Sequence, residues 1–315
     1  MTSFQKFRPI EPTAVSDRSP ALICGATGMF GGGVLREMLS RGAPVVALCR
    51  SPERAKRLED DGVPVAVADM DDPPSLLTAM TNVSRVFLVS PMDDRIARHE
   101  TNVIEAAEKS GVRQIVKIFG AVRHQGDALV SQHEKVNERL KSSDLAWTLI
   151  SPNTVMESNL FPAAPTIIEE NAIYGASGDG KIGMVSLDDC VAAAATVLTG
   201  DIEAHRGCNH EITGPKALTF TEIAEEFSKA LGRTIEYRDS PVDEFGRMLV
   251  AEAGFDADTV ETEVLCHFRA FRRGDADLVT ETFRKLTDRP STSVAAFIER
   301  NRDRFTDPSK AGGPS

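Results

Sequence analysis

Between Ala21 and Ile150, short apolar runs alternate with amphipathic stretches, and few architectures accept that pattern. The apolar runs are Ala21–Gly25, Val45–Cys49, Val63–Ala68, Arg85–Val89, Arg113–Phe119 and Trp147–Ile150. Between them lie Gly31–Arg41, Pro52–Asp60, Pro73–Met80, Arg95–Ser110 and Ala128–Ser142, each with apolar residues at helical spacing or a helix-opening proline. Strands that alternate with helices of this length form βαβ units on a parallel sheet. Right-handed crossovers then place helices on both faces. After Pro152 the alternation loosens. Met184–Ser186 and His210–Thr213 read as short strands, Asp188–Leu198 and Thr221–Leu231 as helices, and Pro241 to Phe305 as largely helical.

The first strand runs into Gly25-Ala26-Thr27-Gly28-Met29-Phe30-Gly31, and a helix follows at once. Glycine suits such a turn because a side chain would block close approach of backbone to a diphosphate, or of helix to strand. The phosphates would rest on free N–H groups at the helix N-terminus, where the dipole favours negative charge. A glycine-rich turn alone explains less, since the motif opens the first unit of a long alternation. The expected fold is therefore α/β: a doubly wound parallel Rossmann sheet over residues 20–150. A flexible leader precedes it over 1–19, and a smaller, mainly helical substrate-side region follows over 151–315.

An NAD site places an acid at the end of the second strand, on the ribose 2′-hydroxyl. This chain has Cys49-Arg50-Ser51 there. Arg50 can pair with a 2′-phosphate, with Ser51 as a hydrogen-bonding neighbour, which points to NADP and NADPH. An exposed strand-end arginine is the plainer alternative. Two further loops lie at strand C-termini. Asp69 and Met70 could hold the adenine edge, and Ser90 and Pro91 approach the ribose or nicotinamide; ordinary turns fit both as well.

A net charge of −11 argues against a broad nucleic-acid-binding face. The five cysteines form no Cys-x-x-Cys pair and fit no zinc site, so a reducing compartment is expected. The opening residues lack the apolar core of a secretory signal, and no apolar run is long enough to span a bilayer. The expectation is a cytoplasmic protein that acts on a small molecule, with no membrane or nucleic-acid partner and no metal. His99, His124, His205, His210 and His267 show no metal-ligand spacing. Asp188-Asp189 resembles a carboxylate pair, but N-capping of an apolar helix explains it better.

The chain resembles the NmrA-like branch of the atypical short-chain dehydrogenases, which includes quinone oxidoreductases, triarylmethane-dye reductases and NADPH-binding regulators. The resemblance is carried by GATGMFGGGV, by HEKVNERLKSSDLAWTLISPNTVMESN, by GDGKIGMVSLDDCVAAAATVL, by EITGPKALTFTEIAEEFSKALGR and by the ending FRRGDADLVTETFRKLTDRPSTSVAAFIERNRDRF. It implies that Pro152 and Asn153 border the cofactor and that Phe119, Thr154 and Met156 line the substrate side, with plain core as the equal alternative for Phe119. It also implies a possible homodimer. In the wider superfamily a Tyr-x-x-x-Lys pair with a serine transfers the proton. Here those positions fall on Leu129, His133 and Phe119, while a family glutamate and arginine fall on Asn137 and Ser151. The usual relay is therefore absent, and His133 is the candidate catalytic and ribose-orienting group, with an ordinary pKa of about 6.5. A histidine that only hydrogen-bonds locally is the alternative.

Quinones, iminium ions and cationic dyes accept hydride with little need for an acid. The expected function is NAD(P)H-dependent reduction of a small quinone, imine or related aromatic acceptor, without a Tyr-Lys relay. A non-catalytic NADPH-sensing regulator is the alternative, and a lyase or isomerase with transient cofactor use is a third.

Overall fold

Residues 19–120, 128–251 and 254–311 are described by the structure, a computed structural model. Most of the expected leader and His124 lie outside the described residues. The central sheet is built from β1 (Ala21–Ile23), β2 (Val45–Cys49), β3 (Val65–Val67), β4 (Arg85–Leu88), β5 (Gln114–Ile118) and β6 (Ala146–Pro152). Its order is β3-β2-β1-β4-β5-β6, and each neighbouring pair runs parallel. This is the doubly wound order, with its switch point between β1 and β4. β1, β4 and β5 are buried along their whole length, which explains why they are mainly apolar; edge strand β3 is partly exposed.

The connecting helices are α1 (Met29–Ser40), α2 (Pro52–Asp60), α3 (Pro73–Ala79), α4 (Ile96–Ser110) and α5 (Ala128–Lys141). Their ends follow local chemistry. Ser51 caps α2 by accepting from the Arg54 N–H, and Gly111 ends α4 in the left-handed region at φ 74°. α1 starts at Met29, two residues before the glycine that was expected to open it, because extended Gly28 already serves as its N-cap.

The chain forms two compact units. Of the described residues, the first holds 19–119, 131–150 and 190–210, and the second holds 120, 128–130, 151–189, 211–251 and 254–311. The remaining short elements begin with β7 (Thr154–Val155), α6 (Met156–Leu160), α7 (Ala164–Glu170), β8 (Ala172–Gly175) and β9 (Met184–Val185). After them come α8 (Leu187–Thr199), α9 (Ile202–His205), β10 (Cys208–Ile212), α10 (Phe220–Leu231) and β11 (Glu236–Asp239). Most of α8 returns to the first unit. A Cβ on Gly33 of α1 would come within 2.6 Å of Val191 Cγ2, so glycine permits this close approach. β10 then joins the sheet beside β6 as a seventh strand.

The second unit carries its own core, with Met156, Leu160, Ile173, Phe227, Phe271, Phe297 and Phe305 all buried. It is less purely helical than its sequence suggests. β8 pairs with β11, and β7 with β9, both in parallel. Glu236-Tyr237-Arg238-Asp239 lacks an apolar signature because three of its four residues are exposed.

Candidate functional site

The glycine loop closes the switch point. Gly25 has φ +60°, and a Cβ there would lie 2.8 Å from Val89 Cγ1, just past β4. The Gly28 N–H donates to the Gly25 carbonyl at 2.8 Å. A Cβ on Gly31 would lie 2.3 Å from the carbonyl oxygens of Cys24 and Gly25, so only glycine lets α1 approach β1 this closely. Gly28 offers no side-chain cap, and the first turn of α1 holds no acid. The positive end of a 12-residue helix is thus left for an external anion. Thr27, Gly28 and Met29 are exposed around it, and Phe30 is half-buried.

Arg50 is exposed directly after β2, and no carboxylate pairs with it among the described residues. Ser51 is more committed than expected: its hydroxyl donates to Glu53 Oε2 at 2.6 Å while capping α2. Asp69 and Met70 sit in a turn after β3. Asp69 Oδ1 accepts from the Asp71 N–H at 2.9 Å, and the Met70 carbonyl accepts from Asn102 Nδ2 at 2.8 Å. Ser90 is buried and Pro91 exposed after β4.

Beneath that loop lies a buried polar chain. The Ser90 hydroxyl donates to Glu100 Oε1 at 3.0 Å. Glu100 Oε2 pairs with Lys117 Nζ at 2.6 Å, and both side chains are at most 1% exposed. Lys117 Nζ also lies 3.0 Å from His133 Nδ1 and 3.1 Å from the Ile118 carbonyl oxygen. The Phe119 ring meets the His133 ring edge-on, at 5.8 Å between centroids. Burial, reinforced by the Lys117 charge, pushes the His133 pKa down to about 3. The ring is therefore neutral at physiological pH.

Lys117 and Glu100 escaped the sequence reading, although each left a trace. Lys117 stands between Val116 and Ile118 in a strand buried along its whole length, and Glu100 lies on the buried face of α4 with Ile96, His99, Val103 and Ala107. Charges at such positions require partners, since an unpaired buried ion costs several kcal/mol.

The expected substrate-side residues all lie in the second unit except Phe119. Pro152 ends β6. Asn153 is buried, and its amide donates to the Ala276 carbonyl at 2.9 Å. Thr154 donates to Asn153 Oδ1 at 3.3 Å, and Met156 is fully buried in the apolar core. Asp188 pairs with Arg300 at 2.8 Å, while Asp189 accepts from the Thr292 N–H and hydroxyl at 2.6 and 3.1 Å. Both acids sit in the first turn of α8. Among the described residues no cluster of three His, Cys, Asp or Glu side chains could hold a metal, and no helix is long and apolar enough to cross a membrane.

The NmrA-like family model matches residues 18–272. This chain belongs to the NmrA-like family. It is 29% identical over 283 residues to quinone oxidoreductase 2 of Escherichia coli, covering 88% of this chain and 96% of that one. It is 28% identical over 288 residues to the NAD(P)H azoreductase of Xenophilus azovorans, covering 90% and 98%. Among solved structures, the E. coli NADPH-dependent quinone oxidoreductase in complex with NADPH superposes with a TM-score of 0.81 at 28% identity, over 89% of this chain and 99% of that one.

Proposed function

We propose that this protein is an NADPH-dependent oxidoreductase that reduces a small quinone, imine or related aromatic acceptor. The observation that carries the reading is the glycine cradle: an uncapped helix N-terminus exposed at Gly28 and drawn close to β1 by Gly25 and Gly31, with Arg50, which no carboxylate pairs with among the described residues, past the neighbouring strand. A diphosphate fits the first feature and a 2′-phosphate the second. Family membership supports the same conclusion, as its relatives include reductases of quinones and azo compounds.

The N–H groups of Met29, Phe30 and Gly31 would hold the diphosphate, and Arg50 the adenosine phosphate. Asp69 and Met70 would border the adenine, with Ser90 and Pro91 toward the nicotinamide. When bound, the reduced nicotinamide supplies the hydride. Neutral His133 contributes a hydrogen bond to a ribose hydroxyl or to the acceptor, beside the apolar wall of Phe119. Leu129 stands where a proton-donating tyrosine would, so acceptors that tolerate hydride without protonation are favoured.

Oxidation of NADPH is expected with at least one acceptor of a quinone, azo and imine panel. Tight NADPH binding with no turnover of any acceptor would overturn the reading. Arg50→Ala should weaken NADPH binding by about tenfold to a hundredfold and leave NADH binding nearly unchanged, the scale of one charge-assisted contact. A second reading, a non-catalytic sensor of NADPH, draws support from Leu129 in place of the tyrosine. It requires a protein partner captured with NADPH and released without it.

A further inference from the structure

We propose that Lys117 is a positioning residue: anchored by Glu100, its ammonium locks His133 as the neutral tautomer that carries its proton on Nε2. An ammonium has three N–H donors and no acceptor. Around Lys117 Nζ stand three acceptors: Glu100 Oε2 at 2.6 Å, His133 Nδ1 at 3.0 Å and the Ile118 carbonyl at 3.1 Å. The Ile118 carbonyl and His133 Nδ1 take two of its hydrogen bonds, and Glu100 Oε2 holds the ammonium as its ion-pair partner. His133 Nδ1 faces a donor and must present its lone pair, so the ring proton resides on Nε2.

The groups around the ring reinforce this state. Lys117 comes from β5 and Glu100 from α4, and the Glu100 oxygen is 3.9 Å from Nδ1, farther than the ammonium between them. Ser90, past β4, occupies the other Glu100 oxygen. Cys24, past β1, also feels Glu100; burial and that charge push its thiol upward, so it stays neutral. A second proton on the His133 ring would set an Nδ1–H against the Lys117 ammonium. The site therefore offers a fixed Nε2–H donor whose charge does not change across neutral pH.

The fixed donor deepens the reductase reading and, as a contribution to turnover, rests on it. It also narrows the acceptor class to molecules with a hydrogen-bond-accepting oxygen or nitrogen beside the hydride-accepting atom, as a quinone or azo compound has. Long-range proton–nitrogen NMR on the cofactor-free full chain reads the tautomer directly, with the His133→Gln spectrum assigning the signal. The wild-type ring is expected as pure Nε2–H, unchanged from pH 8 to pH 5. Lys117→Met should move the proton to Nδ1, facing Glu100. Because that variant strands a buried carboxylate and can unfold, Lys117→Met/Glu100→Gln removes both charges; it should give a ring in which Nδ1–H is populated. A wild-type ring that titrates in this range, or pure Nε2–H in every folded variant, overturns the proposal. In kinetics, the double variant should lower kcat, and an unchanged kcat would overturn the positioning role. The NMR measurement uses no cofactor. Failure of the wild type to oxidise NADPH with any acceptor would therefore remove the reductase reading while leaving the locked ring standing.

Discussion

Two polar networks sit at opposite ends of the same sheet, and they are built differently. At the C-terminal ends of the strands, Ser90, Glu100, Lys117 and His133 form a chain around a buried ion pair. At the N-terminal ends, Arg85 Nη1 donates to the Gly200 and Val197 carbonyls at 2.8 and 3.4 Å and to Gln114 Oε1 at 3.3 Å. Gln114 Nε2 donates to the Thr148 hydroxyl, which in turn donates to the His205 carbonyl at 2.8 Å. His205 Nδ1 then meets His210 Nε2 at 3.2 Å. The acceptors that hold this Arg85 nitrogen are neutral dipoles, and two of them are carbonyls at the C-terminal end of α8, where a cation is favourable. The lower network fastens a helix to a sheet. The upper one keeps a full carboxylate and a full ammonium out of water, an arrangement that an apolar pair of similar volume would often match in stability. Its charges are better explained by what they do to His133.

That contrast can be broken by substitution. The largest effect is expected from Lys117→Met, which leaves the Glu100 carboxylate buried and alone; urea denaturation should show a loss of about 3–5 kcal/mol. Arg85→Met removes a charge and strands the Val197 and Gly200 carbonyls and the Gln114 amide, all neutral groups, so a loss of about 1–3 kcal/mol is expected. Equal losses at the two sites would erase the distinction. Ser90→Ala and Thr148→Val repeat the comparison on a smaller scale. Ser90 serves a carboxylate, where such a bond contributes about 1.5–3 kcal/mol, and Thr148 serves a backbone carbonyl, where about 1 kcal/mol is typical.

A pH dependence is shared by both ends. His133 is pushed down to about 3, by burial and then by Lys117, and His210 to about 4, by burial and then by His205. In the unfolded chain each takes up its proton near pH 6.5. Their contribution to stability is therefore complete above that pH and is lost as pH falls toward the folded values. Denaturation midpoints should decline between pH 6.5 and 4, and His210→Gln should flatten the decline. An unaltered slope would show that the lower histidine pair is not buried in solution as it is in the structure.

Much of the dinucleotide half was legible in the sequence. Residues of β1, β2, β4 and β5 are buried on both faces of a parallel sheet, so their apolar runs mark them directly. The Gly25–Gly31 loop was legible because each glycine answers a local backbone demand. The second unit was harder to read. β8 and β11 are four residues each, and β11 keeps three of them exposed. Asn153 and Met156 gave no local sign of their contacts: the Asn153 amide donates to the Ala276 carbonyl and Met156 fills a core. The return of residues 190–210 to the first unit carried no local signal, because an apolar helix is silent about which surface it will cover.

By itself, the sequence determined the alternation of strand and helix, the glycine turn that bares a helix N-terminus, and the arginine past the second strand. Each of these depends on residues adjacent in the chain, through backbone sterics and side-chain periodicity. The tertiary structure alone decided that Lys117 meets Glu100 and His133, and that Gly33 makes room for Val191. Such meetings depend on which strands lie side by side and which helix covers them, a consequence of sheet order that no local propensity encodes.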